Sequence, residues 1–225
     1  MTSQIELDPS SVTNYLDLAR IQLAGRQFDP ALDTAKLAVK LFPTSADAWL
    51  LKGAIETETQ RLADAVASYT TAVHLKGSDA EAELALATAQ WLAGKIPLAR
   101  VSFRRLLQRY PRNAQIYVMY AKFLNSEGPR DTAQLTGLMK RAMSLDPSLA
   151  EPHFYLGNLA LTNGKLDEAV QQLETATRLD PSSGKAHFAL ARALRRQGRS
   201  EESTRELGIY NELKAAEDGA TGSMP

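Results

Sequence analysis

The stretch AEPHFYLGNLALTNGKLDEAVQQLETATRLDPSS, Ala150–Ser183, carries near its end a tetrad, LDPS at Leu179–Ser182. The same tetrad stands at Leu145–Ser148 and at Leu7–Ser10. The last two copies start 34 residues apart (179 − 145), and the first two 138 apart (145 − 7), which is four times 34 plus 2. A period in this range marks stacked supersecondary units, each too small to bury its apolar face alone. Laid out on that period, the 225 residues give six rows, 12–45, 46–79, 80–113, 114–149, 150–183 and 184–217. A lead-in over 1–11 precedes them and a flexible tail over 218–225 follows. The fourth row alone is longer, at 36 residues. Its surplus belongs in or beside the turn SEGPRD, Ser126–Asp131, because turns tolerate insertions that packed helices do not.

Size and polarity repeat within the rows. Position 8 is always small (Ala19, Gly53, Ala87, Ala121, Gly157, Ala191), and counting straight through, so is position 20 (Ala31, Ala65, Ala99, Ala133, Ala169, Ser203). Small residues at matched places on two helices let the axes approach closely. Larger apolar residues at spacings of three and four surround them, such as Trp49, Leu86, Tyr120, Leu156 and Leu190 on the first helix. Tyr69, Phe103, Met139, Leu173 and Leu207 do the same on the second, so each row reads as two amphipathic helices. Ser11, Ser45, Asp79, Asn113 and Ser183 are placed to cap the first helices. Gly25, Gly94, Gly128, Gly164 and Gly198 mark the turns inside the pairs. Pro43, Pro111, Pro147 and Pro181 follow the second helices, where no further amide donor is needed. LDPS is the seam between rows: a last helical leucine, a stop, then a cap for the next helix.

Leu156-Gly157, Ala160, Gly164, Ala169, Ala176 and Pro181 make the row Ala150–Ser183 resemble the tetratricopeptide repeat, with only the signature's tyrosine position departing, at Ala160. The resemblance extends over all six rows. Local departures are Glu83, His153 and His187 for the usual tryptophan, Lys52 for the leucine and Gly77 for the proline. It implies an all-α, right-handed superhelical solenoid of antiparallel helix pairs, with the first helix of each pair lining the concave face. It further implies a non-enzymatic interaction scaffold that holds an extended peptide or a helix in that groove.

Positions 2, 5, 9 and 12 of the first helices share one face by spacing. Position 5 reads Leu16, Leu50, Leu84, Val118, Phe154 and Phe188, with Leu51, Met119 and Tyr155 beside it at position 6. Arg20, Thr88, Lys122, Asn158 and Arg192 stand at position 9, and Trp91 at position 12. An apolar ladder with sparse polar groups anchors apolar side chains and orients a peptide backbone. These fifteen residues are the candidate peptide-binding set, and Asn158, whose amide both donates and accepts, is its leading polar member. Position 5 also packs between helices in the family, so structural filling is the competing reading for the ladder. Members of the family that grip the acidic C-termini of heat-shock chaperones carry lysine at position 5, which is apolar in all six rows here. That specificity is excluded.

Lysine plus arginine equals aspartate plus glutamate at 26 each, so no global charge draws the chain to nucleic acid or to anionic membrane. Arginines 104, 105, 109 and 112, and the tyrosines of a row resembling the related half-a-TPR repeats, do not form the long basic stripe that nucleic acid demands. Arg192, Arg195, Arg196 and Arg199 cluster at the end of one helix, where the helix dipole favours them; a patch for an anion or an acidic partner is the competing reading. There is no cysteine, no glycine-rich phosphate loop, no HExxH and no GxSxG. His153 and His187 cannot by themselves complete a metal site. The expectation is therefore no catalytic residue, no metal, no cofactor and no membrane insertion, with a protein or peptide as partner. Assembly is expected as a monomer, or as a weak dimer through the C-terminal helix at Ile209 and Tyr210. MTSQIELDPS has no apolar signal segment, so the chain as written is cytoplasmic; a periplasmic or secreted place follows only if a native signal precedes it. The alternatives are an assembly factor of a bacterial envelope machine of the type IV pilus kind, and a regulatory fragment of a larger enzyme.

Overall fold

The computed structural model describes residues 10–128 and 132–222, so most of the first LDPS copy and positions 129–131 of the long turn lie outside it. The described residues hold twelve α-helices and no strand. The first helices of the pairs are α1 (Val12–Ala24), α3 (Ala46–Glu58), α5 (Ala80–Leu92), α7 (Ala114–Ser126), α9 (Ala150–Thr162) and α11 (Gly184–Arg196). The second helices are α2 (Phe28–Leu41), α4 (Leu62–Lys76), α6 (Ile96–Arg109), α8 (Thr132–Leu145), α10 (Leu166–Leu179) and α12 (Ser200–Gly222). The chain divides between Pro111 and Arg112 into two compact units. In the first, each pair packs together, α2 meets α3, α4 meets α5, and α1 lies beside α3. The second repeats the scheme, with α8 on α9, α10 on α11 and α9 beside α11.

The seams are built as much by the aspartate as by the proline. Phe42, Tyr110 and Asp180, each just before a proline, sit at φ −126°, −126° and −132°. The proline ring bars its predecessor from the helical region, and the helix stops there. In LDPS, Asp146 Oδ1 accepts from the backbone N–H of Ser148 at 2.9 Å and from its hydroxyl at 2.6 Å. Asp180 does the same with Ser182, at 3.2 and 2.7 Å. These bonds, the hydroxyl's first, hold the Asp146 carboxyl below its ordinary pKa. The LDPS serine thus closes a turn back onto its aspartate rather than capping the next helix. Among the expected caps, Ser45, Asp79 and Asn113 accept from Ala48, Ala82 and Gln115 amides, whereas Ser11 and Ser183 make no such bond.

Two sequence assignments shift by register. The left-handed residue of the first pair is Arg26 (φ 56°), not Gly25 (φ −79°), and its counterpart in the second pair is Gln60 (φ 58°). Gly94, Gly128, Gly164 and Gly198 take that conformation in the other pairs that contain them. A side chain in this region costs roughly 1 kcal/mol that glycine does not. Gln60→Gly is therefore expected to raise stability by about 0.5 kcal/mol after the entropy of the freer chain is deducted, read as a higher urea midpoint. The second shift lies past the long turn. Ala133 is exposed and Leu135 is buried at 5%, because the two extra residues precede α8 and move position 20 to Leu135. The terminal helix also runs on past Ala216 to Gly222, into what the sequence reads as tail.

Close helix contact rests on the small residues. Ala19, Ala31, Ala65, Ala87, Ala99 and Ala169 have no exposed surface. A Cβ on Gly157 would stand 2.6 Å from Leu173 Cγ, and one on Gly53 would stand 2.9 Å from the Tyr69 ring.

Polar pairs run through the core in two patterns. In the first unit, residues twelve apart join the helices of each pair: Thr34 donates to Gln22 at 2.8 Å, Ser68 to Glu56 at 2.6 Å and Ser102 to Gln90 at 2.7 Å. In the second unit Ser203 donates across the same spacing to the Ala191 carbonyl at 2.8 Å, and two further partners lie 19 apart. His153 Nδ1 meets Gln172 at 2.8 Å and His187 Nδ1 meets Glu206 at 2.6 Å, with His187 Nε2 on the Pro181 carbonyl at 3.1 Å. Lys52 extends the middle pair into a triad, donating to Glu56 at 2.5 Å and to Ser68 at 2.8 Å. The family's leucine and tyrosine positions are replaced together, at Lys52 and Glu56, and the two substitutions satisfy each other.

Candidate functional site

In the first unit a depression of about 340 Å³ opens beside α3, lined by Arg20, Asp47, Leu50, Leu51, Ala54, Lys76 and Glu81. Its apolar floor is held from behind. Leu51 packs on the buried clusters of Tyr15, Leu16 and Ala48 and of Ala19, Leu32 and Ile55, while Leu50 packs on Ala65, Val66, Tyr69 and Ala89. Both leucines are half-buried, so each fills the core with one side and offers the other. Charges of both signs ring the floor. Lys76, at the end of α4, reaches Asp47 at 3.2 Å and Asp79 at 3.6 Å. Burial opposes its charge, but hydrogen bonds and attraction from Asp47 and Asp79 outweigh that and hold its pKa above the ordinary value. Arg20 lies 3.3 Å from Asp17, and both are well exposed, so that ion pair contributes little and leaves the guanidinium available.

Of the fifteen candidates, Arg20, Leu50 and Leu51 come together in this one depression. Asp47 and Glu81 occupy position 2 of the same stripe, whose residues the ladder at positions 5 and 9 had overshadowed; Lys76 comes from a second helix and could not be read from a first-helix pattern. Leu84, Thr88 and Trp91 are half-buried on α5, and the Thr88 hydroxyl donates to the Leu84 carbonyl of its own helix at 2.9 Å. Leu16 (6% exposed) and Val118 (3%) are packing residues with almost no surface to offer. A position facing the next helix has the same spacing as one facing a ligand, which is why the ladder included them.

In the second unit, Met119, Lys122, Phe154, Tyr155 and Asn158 are half-buried and Arg192 is exposed. Asn158 Nδ2 donates to the Phe154 carbonyl at 3.2 Å, which leaves its carbonyl oxygen to accept from a ligand. The Lys185 ammonium stands 4.9 Å from the Phe154 ring centre and 2.8 Å from Glu151. Burial raises the Tyr155 hydroxyl's pKa, partly opposed by its hydrogen bond with Thr136. Phe188, 41% exposed, rests on Tyr210 with ring centres 5.1 Å apart, so Tyr210 packs back onto α11. Ile209 remains 37% exposed.

A family model described as Tetratricopeptide repeat matches residues 16–82 and 155–208, and a second of the same description matches 81–113. The chain belongs to the tetratricopeptide repeat family. Solved tetratricopeptide-like folds agree. The chain superposes with TM-score 0.76 and 15% identity on a structure of the APC/C hetero-tetramer Cut9–Hcn1, covering 94% of this chain and 42% of that one. For yeast Tom70 the values are 0.71 and 20%, over 96% and 49%. For Pseudomonas aeruginosa PilF they are 0.64 and 20%, over 75% and 76%. At these identities the likeness is one of fold, and the chain spans less than half the length of the Cut9–Hcn1 and Tom70 chains. No curated protein sequence matches it. Tetratricopeptide repeats generally mediate protein–protein interaction. Among the described residues, no helix is long and apolar enough to cross a membrane, and no three His, Asp or Glu side chains are grouped to hold a metal ion.

Proposed function

We propose that this chain is a non-enzymatic adaptor that holds an extended peptide or a helix of a partner protein against its first helices. The observation that carries the reading is the depression beside α3: an apolar floor of Leu50, Leu51 and Ala54 within a ring of Arg20, Asp47, Lys76 and Glu81. The floor takes an apolar side chain of the partner, and the ring of both signs orients polar groups around it. Leu84, Thr88 and Trp91 continue the surface along α5. Met119, Lys122, Phe154, Tyr155, Asn158, Phe188 and Arg192 provide a corresponding surface on the second unit.

The test is capture of the partner by the purified full chain beside a Leu50→Glu/Leu84→Glu variant whose circular dichroism matches wild type. The expected result is a protein retained by wild type and lost, by about tenfold or more in affinity, from the variant, because a charge buried at an apolar contact costs several kcal/mol. Equal capture by both would remove the first-helix surface from the reading.

A further inference from the structure

A second exposed surface lies on α6. That helix turns Ala99, Phe103 and Leu106 inward. At 100° per residue the opposite face carries Val101, Arg104 and Arg105, with Leu98 on its flank. Val101 is 54% exposed and Leu98 48%, and both arginines are exposed. The corresponding positions elsewhere hold Asp64 and Ala67 on α4, Glu168 and Gln171 on α10, and Glu202 and Arg205 on α12. An outward face that is apolar at these two positions is therefore peculiar to α6 among those helices.

The stretch of sequence that contains α6 is one-sided in charge. Between Glu83 and Glu127 the sequence has no acidic residue, yet it has Lys95, Arg100, Arg104, Arg105, Arg109, Arg112 and Lys122. Arg109 is engaged within the unit: it donates to Glu83 at 2.9 Å and to the Ser78 hydroxyl, and it lies 5.7 Å from the Tyr110 ring centre. Arg104 and Arg105 have no ion pair among the described residues, so two adjacent guanidinium groups stand beside an exposed valine and leucine.

We propose that the outward face of α6 is a second docking surface, taking an acidic amphipathic segment of a partner protein. Carboxylates of that segment meet Arg104 and Arg105, where the guanidinium fork matches them in two-point geometry. Its apolar side chains cover Leu98 and Val101. The apolar pair is what favours a polypeptide over a nucleic acid, since a phosphate backbone has nothing to bury against Val101. Two unpaired arginines also fall short of the multiple phosphate contacts that nucleic-acid affinity requires. The surface is formed by a second helix and is independent of the depression beside α3.

Fluorescence anisotropy on the full chain tests this. The probe is a labelled peptide of about 18 residues, with leucine on one helical face and glutamate on the other, a length at which an isolated helix can form. The comparison probes are its glutamine counterpart and a single-stranded oligothymidylate. The expected result is saturable binding of the glutamate peptide, weakened about tenfold by Arg104→Glu/Arg105→Glu, by Leu98→Ser/Val101→Ser and by the glutamine replacement. The Leu50→Glu/Leu84→Glu variant should bind it as wild type does, which separates this surface from the first-helix reading. Absence of saturable binding, equal affinity in the α6 variants, or tighter binding of the oligothymidylate would each overturn the proposal. All variants are checked by circular dichroism, and the conservative Arg104→Lys/Arg105→Lys chain retains part of the affinity.

Discussion

Lys52→Ala lowers stability by about 3 kcal/mol, a large effect for a substitution at a residue that still touches solvent. The lysine side chain is 16% exposed, but the Glu56 side chain it serves is 4% exposed. Remove the ammonium and Glu56 keeps only the Ser68 hydroxyl, at 2.6 Å, as a hydrogen-bond donor within the triad. A buried carboxylate without its cation must either remain charged in a poor solvent or take up a proton, and both destabilise the fold. The companion experiment replaces the whole triad with apolar residues of similar volume, as Lys52→Leu/Glu56→Met/Ser68→Ala. Exchange of a buried ionic cluster for packed apolar groups of similar volume is generally neutral or stabilising, so the triple variant should melt at or above wild type. Urea unfolding followed by circular dichroism measures both. A single variant as stable as wild type would mean that the triad is not a buried unit.

Gly157→Ala is the second large effect, expected at about 1–3 kcal/mol of destabilisation. The new methyl would lie 2.6 Å from Leu173 Cγ, 2.9 Å from its Cδ2 and 3.3 Å from the Ala169 carbonyl oxygen. The leucine branch point cannot swing aside as a flexible tip would, because Leu173 is fully buried. The carbonyl limits movement on the other side. Alanine normally favours a helix over glycine by roughly 1 kcal/mol, so the contact costs about that much more than the net loss observed. Leu173→Ala in the same chain should relieve the clash, leaving the double variant more stable than the sum of the two single losses implies. A Gly157→Ala chain with an unchanged urea midpoint would contradict the packing of α9 on α10.

The helix pairs were legible because their signals are local. Small residues at positions 8 and 20, and prolines two residues past the second helices, depend only on spacing along the chain. Polar partners across the pair were not legible. Glu56 and Ser68 stand twelve residues apart, on opposite sides of a turn whose geometry fixes their meeting, and each alone looks like a surface residue. Register past the long turn failed for a related reason. The sequence places two extra residues in or beside the turn, yet a count straight through them lands on Ala133, and the burial of Leu135 and exposure of Ala133 show that position 20 moves with them. Arg26 and Gln60 bend the chain where other pairs use glycine, so a glycine-seeking reading settled on Gly25 instead.

The candidate site was half legible. Periodicity selected the face containing Leu50 and Leu51, yet the same periodicity admitted Leu16 and Val118, which are buried. Lys76 enters the depression from the end of α4, a contribution that emerges only when adjacent pairs are stacked.

The most direct test of partner binding on the first helices is site-specific photo-crosslinking in cells. A benzophenone amino acid at Leu50, in the floor of the depression, is compared with one at Ala67, exposed on α4. The adaptor reading predicts a discrete crosslinked protein from position 50 that is absent from position 67 and abolished when Leu84→Glu is added. Crosslinks of equal yield from both positions, or none from position 50 while the partner still co-purifies, would contradict it.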